Sequence, residues 1–137
     1  MKEGYSLFQE LSLSSDYNSL VDIENMVNDV CEKLHLPEDT YGNILIALTE
    51  AVNNAIEHGN QKKKELPVVV KVYDHQKGFC INVKDQGVGF NFNDLPDPTS
   101  PENILKEDGR GIFLMKNLAD EVEFHENGNS VSIFFNK

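Results

Sequence analysis

Three stretches of this sequence alternate apolar and polar residues, and this alternation constrains the fold more than any other feature. In each stretch every second residue is apolar: Val68, Val70 and Val72; Phe79, Ile81 and Val83; Val131, Ile133 and Phe135. Successive side chains of a β-strand point to opposite faces of a sheet, so the stretches predict strands with one buried face. The turn-forming residues 75–78 and Asn127-Gly128 predict that the strands form two antiparallel hairpins.

Two amphipathic helices are expected before the hairpins. Apolar residues recur at helical spacing from Leu20 to Leu34 and from Tyr41 to about His58, after which Gly59 is a natural C-terminal stop. A strand over 5–13 precedes them, and a short third helix is expected over 112–120. This order predicts an α+β fold, a two-layer sandwich with helices on one face of a mostly antiparallel sheet.

Composition favours a single soluble domain over residues 1–137, since 39% of the residues are hydrophobic and 26% are charged. The net charge of -11 argues against direct nucleic-acid binding, because a phosphate backbone requires Lys and Arg. Cys31 and Cys80 are expected to be buried free thiols, which fits a reducing cytoplasm. The chain starts without the apolar run of a signal peptide, and no membrane partner is expected.

The second helix carries an unusual polar face. Glu50 and Asn54 lie one helical turn apart, and three further polar residues fall within about 60° of Glu50 on the helix, namely Asn43, Asn53 and Glu57. No Lys or Arg occurs between Lys33 and Lys62, so the helix offers these carboxylates no ion-pair partner. A plain solvated face is the ordinary interpretation. Unpaired carboxylate and amide oxygens, however, also suit a hard cation such as Mg²⁺, or a positioned water.

A first glycine motif follows the strand that ends near Lys84. Asp85 offers a carboxylate that accepts hydrogen bonds, for example from an amino group, and Gly87 and Gly89 allow a ligand to approach the backbone closely. The alternative is a simple glycine-rich turn. The long segment that follows, about 90–108, is predicted to be a functional loop of the lid type.

A second glycine motif, Gly109-Arg110-Gly111, precedes the predicted third helix. Free backbone amides and the positive end of the helix dipole bind anions, and Arg110 adds a cation. The alternative is a flexible entry loop with a surface arginine. The motif differs from both the dinucleotide-binding and the P-loop patterns.

The order of the three motifs resembles the GHKL ATPases, which share the Bergerat ATP-binding fold. Within that superfamily the chain is similar to the anti-sigma-factor serine/threonine kinases of the RsbW and SpoIIAB type. The likeness rests on ALTEAVNNAIEHGN, on KDQGVGF, on PDPTSPENILKEDGRGIFLMKNLADEVEF and on the final hairpin, and it extends over nearly the whole chain.

The resemblance implies roles for the polar residues. Glu50 would be the catalytic general base of phosphoryl transfer, and Asn54 would hold the Mg²⁺ that bridges the ATP phosphates. Asp85 would accept a hydrogen bond from the adenine amino group, with the first glycine motif (Gly87 and Gly89) beside the base.

The resemblance also assigns the second glycine motif and the last hairpin. Gly109, Arg110 and Gly111 would wrap the phosphates from the lid side. Asn129 or Ser130 stands where the family usually has a threonine near the adenine, so the chain departs from the pattern there.

The partners implied by the family are a STAS-domain anti-anti-sigma protein, whose serine or threonine is phosphorylated, and a sigma factor; a homodimer is common. The alternative is a non-catalytic ATP-dependent binding switch, which Glu50 argues against because a nucleotide sensor has no need of a base. A third hypothesis, a module acting on a phosphoacceptor histidine, needs a dimerisation helix pair, for which 137 residues leave no room.

Overall fold

A computed structural model describes residues 3–87, 107–125 and 129–137. The predicted turn at Asn127-Gly128, the glycine at Gly89 and most of the expected lid lie outside these ranges. The elements are β1 Ser6–Leu13, α1 Leu20–Lys33, α2 Glu38–Asn54, β2 Val68–His75, β3 Gly78–Lys84, α3 Glu107–Leu118, β4 Glu121–His125 and β5 Ser130–Asn136. A 3₁₀ turn, Tyr17–Ser19, leads into α1, and a π-helical turn, Ala55–Gly59, follows α2.

The five strands form one sheet in the order β1-β2-β3-β5-β4, and every pair is antiparallel. Val70 pairs with Val83, and Val83 pairs with Val131, so the alternating apolar residues form continuous rows across the sheet. These rows are buried together with apolar residues of all three helices, which places the core between the helices and one sheet face. The predicted α+β architecture is confirmed.

The first two helices begin as their sequences indicate. Asp16 caps the 3₁₀ turn before α1, since its Oδ1 accepts a hydrogen bond from the Asn18 amide at 2.9 Å. The first turn of α2 carries Glu38 and Asp39, which favour a helix N-terminus. The apolar arc of α2 lies in the core, as predicted.

The end of α2 differs from the prediction of a regular helix to His58. The α-helix ends at Asn54, and Ala55–Gly59 form a wider π turn in which the Asn60 amide donates to the Ala55 carbonyl at 2.8 Å. Gln61 and Lys62 then adopt left-handed backbone angles, with φ of 53° and 60°. The helical-wheel angles derived for 100° steps therefore apply only up to Asn54.

Both cysteines are free, and they differ in exposure. Cys80 is fully buried, whereas Cys31 is only partly buried. Partial burial disfavours the charged thiolate and raises the pKa of Cys31 above its usual value. Among the described helices, none combines the length and the apolar composition that crossing a membrane requires.

Candidate functional site

The polar face of α2 meets α3 at a glycine. A Cβ atom placed on Gly111 would lie 2.9 Å from Oε2 of Glu50 and 3.7 Å and 3.8 Å from the Nδ2 and Oδ1 atoms of Asn54. Both α2 side chains are partly buried. Three residues singled out from two motifs far apart in the sequence are therefore in direct proximity, and the missing Cβ of Gly111 is what leaves room for the Glu50 carboxylate.

Glu50 and Asn54 present oxygen atoms of the kind that Mg²⁺ prefers. Within residues 3–87, 107–125 and 129–137, no group of three or more His, Cys, Asp or Glu side chains is placed to hold a metal ion. A cation bound here would therefore take most of its ligands from water or from a bound anion. Mg²⁺ commonly binds in this way, with one or two protein oxygens and the phosphates of a substrate, so the donor set fits that ion.

The remaining polar residues of the α2 face behave differently from Glu50 and Asn54. The Tyr17 hydroxyl donates a hydrogen bond to Glu57, which also lies 3.7 Å from Nε2 of His58. Oδ1 of Asn53 is a buried atom with no hydrogen-bond partner among the described residues. Glu57 is therefore engaged by the segment before α1, whereas Glu50 and Asn54 lie next to Gly111.

The second glycine motif lies inside α3 and not before it, because α3 begins at Glu107. The predicted start near residue 112 was therefore wrong. Gly109 and Arg110 occupy the first turn of α3, where backbone amides have no partner within the helix itself. That property is what an anion site at a helix N-terminus requires. The side chain of Arg110 lies outside the described part of the chain.

The first glycine motif forms a compact cluster around the Asp85 carboxylate. Asp85 is buried, its amide donates to the Asn129 carbonyl at 2.9 Å, and its Oδ1 accepts from the Gly87 amide at 2.8 Å. A Cβ atom on Gly59 would overlap Cγ and both oxygens of Asp85, and a Cβ atom on Gly87 would overlap the Gly59 carbonyl. The sequence predicts Gly59 only as a helix stop; in the structure its lack of a side chain also lets the backbone pack directly on this carboxylate.

Asn60 is the residue that sequence analysis missed. It is 1% exposed, and its Oδ1 accepts a hydrogen bond from the Gln86 amide at 2.7 Å. An asparagine after a helix-ending glycine is the ordinary composition of a turn, and its contact 26 residues along the chain leaves no local pattern. Asn60 differs from an ordinary turn asparagine because it is fully buried, which is rare for this residue type. Burial of a single turn residue is not visible in the sequence.

The two residues proposed for the last hairpin are placed differently. Asn129 contacts the Asp85 cluster, because its Nδ2 donates to the Gly87 carbonyl at 3.3 Å, and its Oδ1 is buried without a partner among the described residues. The Ser130 hydroxyl instead accepts from Nδ2 of Asn82 at 3.1 Å, on the strand face opposite the buried valines. A binding role for Ser130 remains a prediction.

Comparison with known proteins identifies the family to which the chain belongs. The sequence model of the family described as "Histidine kinase-like ATPase domain" matches residues 13–135. A protein of Staphylococcus epidermidis named "Serine-protein kinase RsbW" is 30% identical over 133 residues, which cover 90% of this chain and 81% of that protein. A protein of the same name from Bacillus cereus is 29% identical over 110 residues, which cover 74% of this chain and 68% of that protein. The chain therefore belongs to the histidine kinase-like ATPase domain family, the GHKL type of ATP-binding protein.

Proposed function

We propose that this protein is a cytoplasmic ATP-dependent serine/threonine protein kinase of the anti-sigma-factor type. It phosphorylates a serine or threonine of a STAS-domain anti-anti-sigma protein and regulates a sigma factor by exchanging partners. The observation that carries the proposal is the meeting of Glu50 and Asn54 with Gly111 between α2 and α3. The relatives named as serine-protein kinases support it.

ATP would lie between the two clusters. Asp85 accepts a hydrogen bond from the adenine amino group, and Gly87 and Gly89 allow the flat base to approach the backbone. The partly buried Asn129 is bonded to the Gly87 carbonyl and would therefore lie near the base, and Ser130 follows it at the start of β5.

At the other end, the phosphates face the polar side of α2 and the first turn of α3. Asn54 holds Mg²⁺, which when bound neutralises charge on the phosphate oxygens. The amides of Gly109 and Arg110 lie in the first turn of α3, at the positive end of its dipole, and favour the same anionic groups; Gly111 follows them in the helix.

Glu50 then acts as the general base. The serine or threonine hydroxyl oxygen of the substrate forms a bond to the γ-phosphorus while the bond from that phosphorus to the β–γ bridging oxygen breaks. ADP departs with the electron pair, and the hydroxyl proton passes to the Glu50 carboxylate. The missing side chain at Gly111 leaves Glu50 space to reach the attacking hydroxyl.

Replacement of the base tests the catalytic role. Glu50→Gln keeps the shape and one oxygen of the side chain but removes its capacity to accept a proton at neutral pH. We expect phosphate transfer to a STAS-domain protein from the same genome, measured as phosphoserine or phosphothreonine by mass spectrometry, to fall by about 10²–10⁴-fold. ATP binding, measured by calorimetry, should persist; transfer at the wild-type rate would contradict the role of Glu50.

Replacement of Asp85, the predicted hydrogen-bond acceptor for adenine, tests the adenine-binding end of the site. Asp85→Asn replaces a carboxylate oxygen with an amide that donates, so the hydrogen bond from the adenine amino group is weakened or lost. Nucleotide affinity itself should fall, in contrast to Glu50→Gln. If ATP affinity is unchanged, Asp85 does not contact the base.

The alternative function, a non-catalytic ATP-dependent binding switch, uses the same nucleotide site but needs no proton transfer to Glu50. It predicts that Glu50→Gln and the wild type release and capture partner proteins equally well in the presence of ATP. A pull-down of the STAS-domain and sigma-factor proteins with ADP and with ATP distinguishes the two functions, and size-exclusion chromatography with light scattering tests the expected homodimer.

A further inference from the structure

Asn60 connects three segments of the chain behind the Asp85 cluster. Its Nδ2 lies 2.9 Å from both the Ser15 hydroxyl oxygen and the Leu66 carbonyl, and 3.0 Å from the Pro67 carbonyl. Its Oδ1 accepts from the Gln86 amide at 2.7 Å. The side chain thus joins the end of the α2 segment to three others: the segment before α1, the loop before β2 and the turn after β3.

The bond to Gln86 is the one that reaches the candidate site. Gln86 stands between Asp85 and Gly87, whose amide donates to the Asp85 carboxylate. On its other side the Asp85 amide is bound by the Asn129 carbonyl. The Asp85 turn is therefore held at three successive amides, 85, 86 and 87, and Asn60 supplies the only side-chain acceptor from outside the turn among these three bonds.

Asparagine is suited to this position because one planar group must accept and donate in a fixed geometry. The acceptor oxygen faces an amide, while the donor nitrogen faces carbonyl and hydroxyl oxygens. Aspartate retains the acceptor but places a second oxygen against those oxygens, and a hydrophobic residue leaves a buried amide unsatisfied.

We propose that Asn60 is a positioning residue for recognition of the nucleotide base. By fixing the Gln86 amide it sets the direction of the Asp85 carboxylate toward the base amino group, with Gly59 packed on the same carboxylate. This inference rests on the proposed role of Asp85 in binding adenine and names a residue through which that role is exercised. Asn60 itself does not touch the base.

The test compares ATP with purine riboside triphosphate, which lacks the 6-amino group. The ratio of the two dissociation constants measures the contribution of the amino group alone. In the wild type we expect ATP to bind about tenfold more tightly or better, the usual contribution of a hydrogen bond to a charged acceptor. In Asn60→Ala the ratio should fall toward one.

Ser15→Ala is the matched control. It removes the hydroxyl partner of Asn60 in the segment before α1 and leaves the bond between Oδ1 of Asn60 and the Gln86 amide available. A purely structural role for Asn60 predicts that both variants lose stability and weaken both nucleotides equally, with the ratio unchanged. The proposal predicts a changed ratio in Asn60→Ala and a wild-type ratio in Ser15→Ala.

A measurement on the wild type alone keeps the proposal testable if Asn60→Ala does not fold. Amide hydrogen exchange of Gln86, followed by NMR without nucleotide, should be strongly slowed, because this amide is bonded to a buried side chain. Exchange at the rate of an open loop would overturn the proposal.

The outcomes separate this inference from the proposed function. Equal affinity of the wild type for the two nucleotides overturns the adenine role of Asp85 and the positioning role with it. A wild-type preference for ATP that survives in folded Asn60→Ala overturns the positioning role alone.

Discussion

The two ends of the candidate site are built in different ways. At the end proposed to bind the base (the base end), Asp85 is buried and its turn is bonded to Asn129, to Asn60 and within itself. At the end proposed to bind the phosphates (the phosphate end), Glu50 and Asn54 project from a helix face, are only partly buried and meet Gly111 of a second helix.

Under the proposed function, this difference divides two tasks. Recognition of a base is favoured by an acceptor whose direction is fixed before the ligand arrives, which lowers the cost of binding. Transfer to a protein hydroxyl depends on the position of the Glu50 carboxylate, and that position depends on the space left by Gly111. Variants at the base end should therefore change mainly affinity, and variants at the phosphate end should change mainly turnover.

Among substitutions of the glycines, the largest effect is expected from Gly59→Ala. The added Cβ overlaps the Asp85 carboxylate, so that side chain must move. We expect ATP affinity, measured by calorimetry, to fall by about ten- to a hundredfold, and the free energy of unfolding in urea to decrease by about 1–3 kcal/mol. Wild-type affinity in this variant would show that the base end is less closely packed than described.

A smaller and different effect is expected from Gly111→Ala. Its Cβ meets the flexible end of the Glu50 side chain at 2.9 Å, so Glu50 shifts and the backbone does not have to. Stability should change by less than about 1 kcal/mol, the scale of the Gly-to-Ala helix propensity. Phosphate transfer at saturating ATP should fall by about tenfold through misplacement of the base.

ATP affinity and transfer at saturating ATP must be compared between Gly111→Ala and Gly59→Ala. If ATP affinity falls in both variants while transfer at saturation is normal in both, the two ends of the site are not functionally distinct, and the division described above is wrong.

The smallest effect is expected from Gly42→Ala, the matched control for both. Gly42 lies within α2 on its exposed side, and a Cβ there has nothing within 4 Å. Alanine should raise the free energy of unfolding by about 0.5–1 kcal/mol, because it favours the helix and restricts the unfolded chain. Affinity and transfer should both equal those of the wild type; a change in either would reveal communication along α2.

The architecture could be predicted from the sequence because its determinants are periodic. Alternation at Val68–Val72 and helical spacing along α2 each bury one continuous face, and the structure places those faces in one core. The Glu50–Asn54 pair was visible for the same reason, since two residues four apart on a helix must be neighbours.

Details that depend on contacts between distant segments could not be predicted. The start of α3 at Glu107 is hidden in a sequence containing glycines that normally weaken a helix. The role of Asn60 depends on where the turn at Gln86 arrives in space, and the overlap of Gly59 with Asp85 depends on the same approach. Neither the contact of Asn60 nor the approach of Gly59 to Asp85 is encoded in local sequence propensity.

The π turn after Asn54 has a consequence for how related sequences are compared. A bond from residue i+5 encloses one more residue than the bond from i+4 in an ordinary helical turn. A relative that continues α2 as a regular helix would therefore need one residue fewer between its counterparts of Asn54 and Asn60. An alignment without a gap in that stretch would pair Asn60 with the neighbour of its true counterpart. A missing asparagine at the aligned position therefore does not by itself mean that the contact to the Asp85 turn has been lost.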